Sequence, residues 1–290
     1  MSDSTSHLPR TSTIGSSSSS TIGLSALGVS SPSATVHLRA EGGVLFVELH
    51  RPEKLNALDG TTLEALASIF GQANTAFGVR AIVLSGSGRA FSAGADRQAA
   101  PGGDRMSIAS GAGERERRYA SQIGLRACAA IANCEVPTVA AVQGWCVGGG
   151  FALAVSCDFR IAATDAQFSI PEVDLGIPLA WGATPRLIGE VGMAKARELI
   201  MMCDVIDADE ALRIGVVNRV VPIGSAGEVA AQWAQRLAAK PEIAIHETKT
   251  QFRAYALSTL VGNVTETDGD LMVAASRSPI AKAAFGAFAD

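Results

Sequence analysis

From Thr35 onward, short runs rich in β-branched residues alternate with longer stretches of helical periodicity. Val44 to Leu49, Ala81 to Leu84, Thr138 to Val142, Asp158 to Ala162 and Gly215 to Val221 predict strands. Thr61 to Ala76 and the region Arg117 to Ala132 predict helices between them. Such interleaving is the signature of an α/β protein. Past Gly224 the pattern turns purely helical, over Gly227 to Ala239, Glu242 to Ala256 and Val264 to Ala275. No repeat of fixed period is present, although successive strand and helix units can still stack as an irregular spiral. Residues 1 to 34 are dominated by Ser, Thr and Gly, including the run Ser16 to Ser20, and offer too little apolar surface to offset the entropy of ordering. They are expected to form a flexible tail. A transit peptide fits less well, because Arg10 is the single arginine there and Asp3 is acidic. The chain thus divides into a tail (1–34), an α/β core (35–223) and a C-terminal helical region (224–290).

Composition narrows the class of partner. With 290 residues, 48% of them apolar, the chain can bury a large core. A net charge of −4 with scattered Lys and Arg gives no basic stripe for nucleic acid or a membrane surface, so a small-molecule partner is expected. Five cysteines, Cys128, Cys134, Cys146, Cys157 and Cys203, form an odd set without CxxC spacing, which argues against disulfides and zinc and for a reducing compartment. No apolar run is long enough for a membrane helix and no secretory h-region is present, so a soluble, cytoplasmic protein is expected.

Two glycine-rich stretches, Gly86 to Asp96 (GSGRAFSAGAD) and Gly144 to Ala154 (GWCVGGGFALA), follow strands and carry the candidate chemistry. A Gly-rich turn from strand to helix presents free N–H groups and the positive end of the helix dipole to an electron-rich group. Neither stretch matches GxGxxG, a P-loop or the GxSxG elbow, which disfavours dinucleotide binding, nucleotide hydrolysis and serine-hydrolase chemistry.

The residues in and around these stretches resemble the enoyl-CoA hydratase/isomerase (crotonase) family, in order from about Val36 to about Val221. Arg51-Pro52 with Lys54-Leu55-Asn56-Ala57-Leu58 resembles the segment that lines the CoA pocket. Phe91-Ser92-Ala93-Gly94-Ala95-Asp96 resembles the first oxyanion-hole motif, and Ala141-Val142-Gln143-Gly144 with Gly148-Gly149-Gly150 the second. Cys157 to Ala162 and Phe168 to Gly176 follow in family order. The resemblance implies a crotonase-type spiral of ββα units with a C-terminal helical trimerisation region, assembled as a homotrimer or dimer of trimers. It implies an acyl-CoA substrate, with coenzyme A entering as part of it and no metal or further cofactor. Residue by residue, it implies that the N–H groups of Ala95 and Gly149 hold the thioester oxygen, with Lys54, Asn56, Ala57, Leu58, Ala93, Gly94, Asp96 and Gly148 in the substrate-binding segments.

Glu172 stands where the family carries a proton-shuttling glutamate. Between Pro171 and an apolar run it is expected to be partly desolvated, in the range useful for proton transfer. The second glutamate of the family's hydratases is replaced here by Ala152, which cannot orient a water, so the two-carboxylate hydration mechanism is incomplete and a single-carboxylate double-bond isomerase fits better at this point. Dienoyl isomerases carry acidic groups at this position and at that of Ala180, and fit less well. An acyl-CoA-binding protein with little turnover is the rival of a different class; thioester hydrolysis or dehalogenation would need a nucleophile that the sequence does not supply. The carboxylates of Asp96, Asp158 and Asp174 are read as turn and cap groups. Trp145 and Trp181 are read as core packing, with an acyl pocket as the alternative. His37, His50 and His246 lack partners at ligand spacing. Lys249 is read as a residue of a solvated helix face.

Overall fold

The computed structural model describes residues 24–96, 113–259, 267–275 and 277–286. Ten strands and eleven helices are arranged along them in chain order: α1 (Leu24–Leu27), β1 (Val36–Glu41), β2 (Val44–Leu49), α2 (Gly60–Ala73), β3 (Ala81–Gly86), β4 (Ala90–Ser92), α3 (Glu114–Ser121), α4 (Ile123–Ala132), β5 (Thr138–Val142), β6 (Trp145–Val147), α5 (Gly149–Ser156), β7 (Phe159–Ala163), β8 (Gln167–Ser169), α6 (Ala183–Met202), β9 (Ile206–Asp207), α7 (Ala208–Arg213), β10 (Arg219–Val221), α8 (Ala226–Ala238), α9 (Glu242–Thr259), α10 (Asp268–Ala275) and α11 (Pro279–Gly286).

Two sheets organise the core. The larger has the order β1-β2-β3-β5-β7-β10, with β1 antiparallel to β2 and every other pair parallel. The smaller has the order β4-β6-β8-β9, parallel except for the β8–β9 pair. In the larger sheet alternate residues go to opposite faces. Leu45, Val47, Ile82, Leu84, Ala140 and Val142 face the main core with α2, α4 and α5, whereas Val44, Ala81, Val83, Val139, Ala141 and Ile161 face α8. Both faces are covered, which is why β3 and β5 read as near-continuous apolar runs.

Several expectations are corrected at this level. Residues 24–34, assigned to the tail, include Val29, which is buried in the core, with Leu24 and Leu27 packed against it; residues 1–23 lie outside the described residues. Helix α8 belongs to the core rather than to a C-terminal appendage: Ala226, Ala230 and Ala234 recur every four residues and are buried against the sheet, their small size allowing close approach. The predicted helix across Arg117 to Ala132 is two helices, broken at Gln122, whose φ of −92° and ψ of 5° leave the helical range. The last predicted strand begins only at Arg219, because Gly215, at φ +91°, ends the turn that follows α7. The sequence pattern assigns nothing to Ala183–Met202, where α6 runs with an interruption at Gly192 (φ 75°, ψ 164°). Of the predicted helix Val264 to Ala275, residues 264–266 lie outside the described residues, Thr267 precedes α10, and the rest falls in α10. Among the described residues no helix is long and apolar enough to cross a membrane.

Candidate active site

The smaller sheet positions the site. Strands β4, β6 and β8 are neighbours and parallel, so the segments leaving their C-terminal ends emerge on one side. Those segments are Ala93 to Asp96, Gly148-Gly149 and Ile170 to Glu172. A crevice beyond the carboxyl ends of parallel strands is where open α/β sheets bind ligands. Here the crevice is a pocket walled by Gly94, Ala95, Gly148, Gly149, Ala152 and Glu172. Ala93 and Val147 also line it, and the rest of the lining is mainly apolar, including Ile123, Leu175, Ile177, Leu179, Trp181 and Met272.

Glycine is required at two points of this wall. Gly94 has φ +88°, and a Cβ on it would lie 2.7 Å from the Val147 carbonyl oxygen and 3.4 Å from the Gly149 nitrogen. Gly148 has φ +48°, and a Cβ there would lie 2.5 Å from Glu172 Oε1. These contacts show how tightly the three segments approach one another: the Glu172 carboxylate rests over Gly148, and Gly94 abuts the start of α5. Gly149 is the first residue of α5, so its N–H has no acceptor within the helix and sits at the positive end of the dipole. Around Ala95 the Leu58 N–H donates to the Gly94 carbonyl (2.8 Å) and the Asp96 N–H donates to the Leu58 carbonyl (2.9 Å). In a parallel bridge of this kind the intervening N–H of Ala95 faces away from Leu58. Among the described lining residues Glu172 is the single ionisable one.

Of the sequence-assigned residues, Ala93, Gly94, Ala95, Gly148, Gly149 and Glu172 line the pocket, whereas Lys54, Asn56, Ala57, Leu58 and Asp96 are not part of its lining. Asn56, at 1% exposure and φ +55°, gives its side-chain amide to the Ser87 (2.8 Å) and Ala90 (2.9 Å) carbonyls and accepts from the Arg51 N–H (2.8 Å). Its side chain pins the loop beneath β4. Leu58 is core, bridged to Ala95. Asp96 pairs with Arg51 at 2.9 Å and lies 3.8 Å from Lys54. Trp145 is exposed outside the pocket, while Trp181 is part of its wall. Lys249 is not on a solvated face: at 7% exposure it donates to the Val136 carbonyl (2.9 Å) and to the half-buried Asp158 carboxylate (2.7 Å), so an ion pair and not solvent explains it.

Two further groups bear on the chemistry. Strand register sets His37 opposite Glu48 and brings His50 to the same face, a juxtaposition that linear spacing hides. The two imidazoles stack with centroids 3.6 Å apart. An imidazole lone pair lies in the ring plane, so rings stacked face to face do not aim at one ion. The cysteines are all buried and unpaired, and burial pushes the Cys128 thiol up to about 11 and that of Cys157 up to about 12. Thiols so held stay protonated near neutrality and are not nucleophiles. Missing from the sequence reading are Ser121, Ile123 and Met272, which reach the pocket from α3, α4 and α10. Nothing in their local sequence marks them; only helix packing brings them there.

The family profile described as enoyl-CoA hydratase/isomerase matches residues 39–284. The chain belongs to the enoyl-CoA hydratase/isomerase family. It is 37% identical to a short-chain-enoyl-CoA hydratase of Clostridium acetobutylicum over 215 residues, 74% of this chain and 79% of that one. It is 36% identical to a crotonyl-CoA hydratase of Syntrophomonas wolfei over 213 residues, 73% and 78% of the two chains. The crystal structure of an enoyl-CoA hydratase/isomerase from Mycobacterium paratuberculosis superposes with a TM-score of 0.79, covering 88% of this chain and 99% of that one, at 23% identity. That likeness is one of fold, and it gives this α/β chain the crotonase architecture of its enoyl-CoA hydratase/isomerase relatives.

Proposed function

We propose that this chain is an enoyl-CoA hydratase or isomerase that binds an acyl-CoA thioester in the pocket above β4, β6 and β8. In this reading the N–H groups of Ala95 and Gly149 donate to the thioester oxygen and Glu172 moves the proton. Taking a proton from a carbon beside a thioester places negative charge on that oxygen, so fixed donors stabilise the transition state more than the ground state. Each donor of this kind is worth about 3 kcal/mol. The observation that carries the proposal is the meeting of residues 95, 149 and 172 on one pocket wall. Coenzyme A enters as part of the substrate, and the chemistry calls on no metal or nicotinamide. The names of the two hydratase relatives support an enoyl thioester as substrate. We further propose that the chain works in the cytoplasm as a homotrimer or dimer of trimers.

A specific observation favours double-bond isomerisation as a second reading. Ala152 lies in the pocket wall, leaving Glu172 as the single carboxylate among the described lining residues. One carboxylate suffices to take a proton from C2 of a 3-enoyl-CoA and return it to C4, giving the 2-enoyl-CoA, with the dienolate oxygen held between. Purified protein is to be incubated separately with a 2-enoyl-CoA and a 3-enoyl-CoA, following product and binding. Glu172→Gln is expected to lower turnover by about 10²- to 10⁴-fold with binding retained. Unchanged turnover sinks the proton-shuttle role, and binding without conversion by the wild type favours a binding protein.

A further inference from the structure

We infer that Trp181 is the end wall of the acyl pocket and restricts this site to short acyl chains; the inference rests on the thioester reading of the pocket above. Trp181 holds φ +61°, a left-handed conformation that bulky residues seldom adopt. Its indole is wedged between two glycines: a Cβ on Gly124 of α4 would overlap the five-membered side of the ring, and a Cβ on Gly149 would lie 2.6 Å from Cη2 on the six-membered side. The ring therefore fills the space between α4 and the start of α5 and forms part of the pocket wall, beside the same Gly149 whose N–H is proposed to hold the thioester oxygen. Acyl carbons running inward past Glu172 and Ala152 meet this ring.

The main chain around the indole is tied down on both sides. Asp268 of α10 accepts the Gly182 N–H at 2.6 Å, and Arg186 donates to the Trp181 (3.2 Å) and Gly182 (2.8 Å) carbonyls. Such ties are what keeps a residue in a sparsely populated conformation. Desolvation holds the Asp268 carboxyl above its ordinary range, opposed by the Gly182 N–H and Arg186. Asp268 and Arg186 are thus positioning residues for the wall.

The test measures binding of unreactive saturated thioesters, butanoyl-CoA and decanoyl-CoA, by titration calorimetry on the full chain, so that it does not depend on which reaction the site performs. The wild type is expected to bind butanoyl-CoA at least about tenfold more tightly than decanoyl-CoA, each 1.4 kcal/mol being tenfold. Trp181→Gly removes the ring and suits a positive φ, so it keeps the fold while bringing the ratio to near one. Asp268→Ala is expected to move the ratio in the same direction by a smaller factor, a change that general destabilisation would not produce. A wild type that binds decanoyl-CoA as tightly as butanoyl-CoA, or a folded Trp181→Gly protein with an unaltered ratio, overturns the wall while leaving the thioester site standing. Failure of the wild type to bind either ligand overturns both.

Discussion

At the scale of single residues, the proposed function makes position 152 the point at which hydration and isomerisation part. Ala152 is buried at 1% exposure on α5 and lines the pocket together with Glu172. A carboxylate introduced there would supply a second group able to orient water, at some cost in stability from its desolvation. Ala152→Glu is expected to raise the ratio of hydrated to isomerised product from a common enoyl-CoA, read by chromatography of the acyl-CoA products. A ratio that stays fixed in a folded variant would show that the missing carboxylate does not decide between the reactions. The glycines at 94 and 148 belong to the same scale: each occupies a positive φ and a contact that no side chain could share.

At the scale of elements, α9 is anchored to the large sheet through a pair formed by a buried lysine and a half-buried aspartate. Lys249 reaches Asp158 at 2.7 Å, and Asp158 also accepts the Thr138 N–H at 2.8 Å, just before β7 and at the first residue of β5. Removing the buried lysine leaves the half-buried Asp158 carboxylate, still held by Thr138, without its counter-charge, at a cost of about 2 kcal/mol. Lys249→Met is therefore expected to lower unfolding stability by about that amount in urea denaturation, and Lys249→Met with Asp158→Asn by clearly less. Equal losses in the single and double variants would show that the lysine stem, and not the charge, does the anchoring. Helix α8 uses a different device, burying three alanines against the sheet instead of a charge.

At the scale of the whole molecule, the C-terminal helices leave large apolar side chains in water. Ile243, Phe252 and Tyr255 on α9, Leu271 on α10 and Ile280 on α11 are each more than half exposed. Exposed apolar side chains of this kind are what the proposed trimer would cover. The proposed trimer predicts a light-scattering mass of three or six chains, and Phe252→Glu with Tyr255→Glu shifts it downward. A monomeric wild type at micromolar concentration would refute the assembly.

The sequence by itself determined the α/β class, the order of the family motifs and the identity of the pocket-lining residues at 93–95, 148–149 and 172. Their signals are local: glycines that turns require, and apolar runs set by strand period. What only the tertiary structure decided depends on residues far apart in the chain. The stacking of Trp181 between Gly124 and Gly149, the tie from Asp268 to Gly182, the burial of Lys249 against Asp158 and the place of α8 in the core all arise from packing across many intervening residues. Periodicity carries no information about which distant faces meet, because that choice is made by shape and burial once the elements have formed.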